Sequence, residues 1–307
     1  MGEQSFTEVR GGAPATPSAR GCAPGADGPT RGSAGGAARC RRGAREGAAR
    51  RYRARVEYDG TDFAGFQLQP NARTVQGTLE AALARLSGGE RSPVDGAGRT
   101  DAGVHAEAQV IAFTYAGRLG PSELERALNG LLPPDVAVRG VRRAAARFHP
   151  RYAASYREYR YTVCTGPRSP LRERYVLGVR VPLDTAAMAR AGSVLEGRHD
   201  FSAFGAADRN PVRTVHSVRV RRTGPLVTID VRADAFLRGM VRRIVAVLLE
   251  VGRGGLDADG VASLLAARQP ALDGAMAPAR GLCLRRVVLG RMTGPGPVAD
   301  DGADEER

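Results

Sequence analysis

The chain has 307 residues, enough for one large domain or two smaller ones, and a 42% hydrophobic fraction sufficient for a real core. Its formal net charge is +14 with a pI near 10.7, and all 46 basic residues are arginine, a balance that points to a polyanionic partner such as nucleic acid. The longest apolar run, Ile244-Val-Ala-Val-Leu-Leu249, falls far short of the ~20 residues a membrane-spanning helix requires.

In chain order, residues 1–50 are Gly, Ala, Pro, Ser and Arg with almost no large apolar side chain, so this segment is expected to be disordered. An RNA-touching arm, a transit peptide and a dispensable extension are its three readings, and four acids with no amphipathic helix favour the last. Alternation predicts a strand over Arg51–Tyr58, and Val75, Leu79, Ala82, Leu83 and Leu86 share one face of a helix over Thr74–Leu86. Strands around Pro93–Ala97 and Gln109–Thr114 come next. Ser122-Glu-Leu-Glu125 reads as a capping box opening a helix that buries Leu124, Leu128 and Leu131, and Val136–Val141 is a further strand. That β-α-β-β-α-β order is the split-βαβ, ferredoxin-like plan.

The second half nearly repeats it. A strand at Tyr156–Cys164 precedes a helix capped by Asp184 and carrying Met188, Ala191 and Leu195. Strands near Thr214–Arg221 and Leu226–Val231 lead to a helix over Phe236–Val251, one near Asp257–Ala267 and a last strand at Leu282–Leu289. The expected fold is α+β: two ferredoxin-like halves, residues 51–150 and 151–292, whose mainly antiparallel sheets form one central sheet flanked by helices, with a basic cleft. Residues 293–307 form an acidic tail expected to be loose. The positive field belongs to residues 51–292, which hold 37 arginines against 23 carboxylates.

Gly96-Ala-Gly-Arg-Thr-Asp-Ala-Gly-Val-His-Ala106 places one carboxylate, Asp101, on a glycine-punctuated turn beside a strand, where catalytic groups tend to sit. Arg99, two residues away, favours the charged carboxylate and aims it. On residue types alone, an aspartate in such a turn more often caps its own backbone as an Asx-turn.

The full string resembles the tRNA pseudouridine synthase A family, and the resemblance runs from about Tyr52 to Val288. Tyr58-Asp-Gly-Thr-Asp-Phe-Ala-Gly-Phe-Gln-Leu-Gln69 with Thr74-Val-Gln76 is similar to the family's N-terminal signature, with Phe66 where the family often has Trp. Leu128-Asn-Gly-Leu-Leu-Pro-Pro-Asp135, Ala146-Arg-Phe-His-Pro-Arg-Tyr152, Leu195-Glu-Gly-Arg-His-Asp-Phe-Ser-Ala-Phe204 and Ala277-Pro-Ala-Arg-Gly-Leu-Cys-Leu284 also match. Ala233-Asp234-Ala235 departs from the family's Gly-Asn-Ala.

The resemblance implies isomerisation of uridine to pseudouridine at positions 38, 39 and 40 of the tRNA anticodon stem-loop, by a homodimer, without cofactor, nucleotide or metal. It makes Asp101 the nucleophile. In Tyr156-Arg-Glu-Tyr-Arg-Tyr161, strand periodicity puts Tyr159 and Tyr161 on one face with Arg160 opposite, and the resemblance makes Tyr159 the residue that stacks on the target uracil.

In Phe236-Leu-Arg-Gly-Met-Val-Arg-Arg243, Arg238 and Arg242 would share a helical face, and a charge in so apolar a stretch either snorkels or meets a carboxylate. The resemblance pairs Arg242 with Asp101. Arg238, Arg243, Arg151 and Gln67 stand beside these motifs as candidate RNA contacts.

Cys22, Cys40, Cys164 and Cys283 lie far apart without a Cys-x-x-Cys pair, so neither a zinc site nor a disulfide framework follows, and a reducing cytoplasm is expected. His199-Asp200 lacks the His-x3-His or carboxylate company of a metal site. A nucleotide-binding loop at Gly96-x-Gly98 fails, because a chain without lysine has no Walker motif. A non-catalytic RNA-binding module would leave Gly-Arg-Thr-Asp unexplained.

Overall fold

A computed structural model describes residues 48–290; the expectations for an N-terminal extension and an acidic tail fall almost wholly outside that range. The described residues build a mixed α/β fold around one ten-stranded sheet. Strand β1 (Arg50–Tyr58) buries Tyr52, Ala54, Val56 and Tyr58 and turns Arg53 and Arg55 the other way, the two-residue period of a one-sided sheet. Helix α1 (Val75–Leu86) starts where Thr74 accepts a hydrogen bond from the Gly77 amide. Two strands, β2 (Asp95–Gly96) and β3 (His105–Tyr115), flank the loop of the Gly-Arg-Thr-Asp motif. Helix α2 (Pro121–Leu131) and β4 (Val136–Arg143) follow. The box that opens α2 is not the expected Ser122–Glu125 pair. Pro121 begins the helix, so Gly120 is the capping position and Glu123 accepts its amide.

The one-turn helix α3 (Pro150–Ala153) and the short strands β6 (Leu177–Gly178) and β7 (Gly197–Asp200) are too brief to leave a periodic signature. Strand β5 (Ala154–Cys164), helix α4 (Thr185–Val194), strands β8 (Val212–Thr223) and β9 (Leu226–Ala233), helices α5 (Met240–Gly252) and α6 (Ala258–Ala267), and strand β10 (Leu282–Leu289) complete the chain. Asp184 caps α4 through the amides of Ala186 and Ala187.

The order across the sheet is β4-β1-β3-β10-β5-β9-β8-β7, with β2 beside β3 and β6 beside β5. The final strand therefore inserts at the centre. β10 runs antiparallel to β5 over most of its length and parallel to β3 only at Cys283–His105 and Leu284–Ala106. One hydrophobic core joins Leu79, Leu83, Leu124 and Leu128 of α1 and α2 to Met188, Ile244 and Leu248 of α4 and α5 through the inward side chains of the strands. Tyr159, Tyr161 and Leu284 of the central strands β5 and β10 belong to the same core.

Candidate active site

Glycine and tight backbone pairing shape the loop between β2 and β3. Phe66 donates to Thr100 O at 3.1 Å, and the Gly103 amide to Phe63 O at 3.2 Å, so the segment after β1 lies against the motif. Gly65 makes this approach possible: its φ is +103°, and a Cβ there would lie 2.8 Å from Thr100 O. Thr100 is buried and bonds through its hydroxyl to the Tyr58 hydroxyl at 2.8 Å. Burial pushes the Tyr58 phenol above its ordinary range, so it serves this contact as a neutral hydroxyl. With its neighbours fixed, Asp101 presents a carboxylate 29% exposed to solvent.

Arg242 Nη1 approaches Asp101 Oδ2 at 3.2 Å. The arginine is held from behind, where its Nε donates to Ala277 O at 2.8 Å and its carbonyl accepts from the Ala277 amide at 3.0 Å. A cation in the first turn of α5 runs against the helix dipole, so helix stability does not account for its position. The helix begins later than the apolar period suggested. Gly239, at φ +72°, breaks the path: Phe236 and Leu237 are irregular, and Arg238–Gly239 form a turn closed by the Met240 amide donating to Leu237 O at 3.1 Å. Arg238 and Arg242 consequently do not share a helical face.

Both arginines nonetheless line the same cavity, of about 1130 Å³, and so do Asp101, Arg99, Tyr159, Arg243, Arg151 and Gln67. The structure thus brings all eight predicted residues to one cleft. Arg99 does not do there what its spacing suggested: its side chain is exposed, and Arg242 alone among the described residues forms an ion pair with Asp101. Five arginines and three carboxylates face the cavity, and Asp95 among the latter is already paired with Arg51. A smaller cavity of about 550 Å³ near β10 instead mixes acids with arginines that neutralise them, as in Arg139–Glu57 at 3.0 Å.

Tyr159 projects from β5 and is buried, with Phe236 edge-on to its ring at 5.2 Å. Burial raises its phenol, the Arg157 charge opposes this, and the Asp101 carboxylate adds to it, so the ring stays neutral beside the acid.

Arg157, which the motif reading passed over, is 8% exposed and makes no close ion pair among the described residues, the Asp234 carboxylate acting on it only through its charge. It donates to Ala97 O (2.6 and 3.1 Å), Arg151 O (2.8 Å) and Asp234 O (2.6 Å). Those carbonyls belong to the lead-in of the Asp101 loop, to α3 and to the segment before α5. The parity of β5 is the signal that finds it, since residues 157, 159 and 161 share the inward face.

No group of three or more His, Cys, Asp or Glu among the described residues is arranged to hold a metal, and no helix there is long and apolar enough to cross a membrane. What the cavity can do is hold one carboxylate against a fixed guanidinium, beside an aromatic wall, under a positive rim.

The family model described as tRNA pseudouridine synthase matches residues 54–153 and 191–288. The chain is 47% identical over 239 residues to tRNA pseudouridine synthase A of Moorella thermoacetica, spanning 76% of this chain and 96% of that one. It is 44% identical over 236 residues to the protein of that name from Halalkalibacterium halodurans (76% and 90%), and 43% identical over 242 residues to the one from Brevibacillus brevis (78% and 99%). The matched segments hold the Asp101 loop, Arg151, Arg238, Arg242 and Arg243, while Tyr159 falls between them. The chain therefore belongs to the tRNA pseudouridine synthase family and is an isomerase.

Proposed function

We propose that this chain isomerises uridine to pseudouridine at positions 38, 39 and 40 of the tRNA anticodon stem-loop, with Asp101 as nucleophile and no cofactor. The single observation that carries the reading is the Asp101–Arg242 pair, set in an arginine-lined cavity with Tyr159 on its wall. The reaction breaks the bond between N1 and C1′, turns the uracil, and joins C5 to C1′; C5 loses a proton and N1 gains one. Every atom of the product comes from the substrate. Asp101 acts as an anion, and Arg242 fixes where its oxygens point, which matters for rate as much as charge does. Tyr159 offers a ring to the base, and Arg99, Arg151, Arg238 and Arg243 offer guanidinium forks to phosphates. RNA is then selected largely by shape and backbone.

The division into two ferredoxin-like halves is supported by the β4-β1-β3-β2 run of the first half, where β2 joins the outer side of β3. The homodimer rests on resemblance, and the cytoplasmic setting on cysteine spacing.

The test is pseudouridine mapping in tRNA incubated with the wild-type protein and with Asp101→Ala. The wild type converts uridine, while the variant binds tRNA and converts none. Normal turnover by Asp101→Ala would overturn the assignment.

A further inference from the structure

The segment Phe148–Ala153 lies beside the Asp101 cavity and is anchored at both ends and in the middle. Phe148 and Ala153 are buried against Ala112, and the Gly290 amide donates to Ala153 O at 2.8 Å. Arg151 O accepts from the buried Arg157, and the Arg151 amide donates to His149 Nδ1 at 3.2 Å. Between these anchors two rings turn outward into the cavity. Tyr152 is 54% exposed, and its ring centroid lies 4.7 Å from that of His149 at an interplanar angle of 43°. A large aromatic side chain left in water on a backbone this firmly held gains nothing for the fold, because its apolar surface stays unburied. Tyr159, by contrast, is enclosed and already packed against Phe236.

We infer that His149 and Tyr152 form a stacking platform for an unpaired nucleobase next to the target uridine, with Arg151 beside them for its phosphate. The identity of the RNA rests on the isomerase reading; the platform rests on the rings. Drawing a uridine out of its stack strips its neighbour of one stacking surface, and a pre-set aromatic ledge restores it. Every base has a π-face, so such a ledge tolerates any sequence, as an enzyme acting at several positions needs.

The test uses stem-loop RNA carrying 2-aminopurine on the 5′ or the 3′ side of the target uridine, read by fluorescence on binding. The wild type should quench one of the two. Tyr152→Ala should abolish that quench and weaken binding about 5- to 150-fold, the range expected for one lost base stack, while Tyr152→Phe keeps both. An abasic residue at the quenched position should cost the wild type the same factor and the alanine variant nothing more. Binding by Tyr152→Ala within about twofold of wild type, or an equal abasic penalty in both proteins, would overturn the platform. The binding arm needs no turnover: quench and coupling without any pseudouridine would sink the isomerase reading and leave the platform standing.

Discussion

Arg157→Met is the most informative single perturbation outside the nucleophile. The guanidinium makes four hydrogen bonds to three carbonyls, of Ala97, Arg151 and Asp234. Each buried acceptor stripped of its donor costs about 1–3 kcal/mol, or roughly 3–9 kcal/mol for three. Two effects pull the sum down: water from the adjoining cavity can reach some of these carbonyls, and the cost of burying an unpaired charge disappears with the arginine. That burial cost is visible in the guanidinium itself, since desolvation pulls its pKa below the usual arginine range.

A net loss of about 3 kcal/mol follows, equivalent to a fall in Tm of about 6–12 °C for a fold of this size. Arg157→Lys should be no better. It keeps the buried charge but presents its donors from one nitrogen, which cannot reach three carbonyls on three segments. Urea denaturation followed by circular dichroism gives the stabilities, and single-turnover kinetics below the melting range give the functional effect. The rate should drop more than RNA affinity, because the Ala97 carbonyl leads directly into the Asp101 loop. If lysine restored wild-type stability, or methionine cost under about 1 kcal/mol, the three-way clamp would be wrong.

Arg242→Ala should lower the single-turnover rate by about 100-fold or more through lost positioning, whereas Arg99→Ala, which removes no ion pair from Asp101, should mainly weaken tRNA binding; a near-wild-type rate for the first would mean that the 3.2 Å pair is idle. Affinity for tRNA should fall linearly on a plot of log K against log salt, and replacing Arg238 or Arg243 by Gln should reduce the slope by about one each; a salt-independent affinity would refute the electrostatic account. The Asp59 carboxyl is pulled up by burial, but hydrogen bonds from the Thr61 hydroxyl and amide and from Tyr175 outweigh this and hold it below its usual range. A depressed folded-state pKa contributes stability that is complete above about pH 4 and is lost as pH falls through the folded value. Asp59→Asn should therefore be less stable than wild type at pH 7, and the gap in urea midpoint should narrow as pH falls below about 4 and through the folded-state value; a constant gap would show that ionisation plays no part.

Much of this could be read from the chain alone because it is local. Alternation in Arg51–Tyr58 and in Tyr156–Cys164 reports which side of a strand meets the core, and Thr74 and Asp184 cap their own helices through neighbouring amides. A chain of arginines with a large positive balance announces a polyanion, and the run around Asp101 carries its resemblance in consecutive residues. The features that sequence could not decide depend on partners far along the chain. Period 3.6 carries through Phe236–Val251, but Gly239 delays the start of the helix to Met240 and so leaves Arg238 on a turn. Spacing alone offered only the nearby Arg99 as a partner for Asp101; the pairing with Arg242, 141 residues away, was implied by the resemblance and not by any local pattern, and in the fold Arg242 reaches Oδ2. The last strand enters the centre of the sheet, and Arg157 gathers three segments because their carbonyls converge there. Short-range order follows from propensity and period; the joining of distant segments follows from burying one core and satisfying the polar groups trapped against it, and only the folded chain decides that.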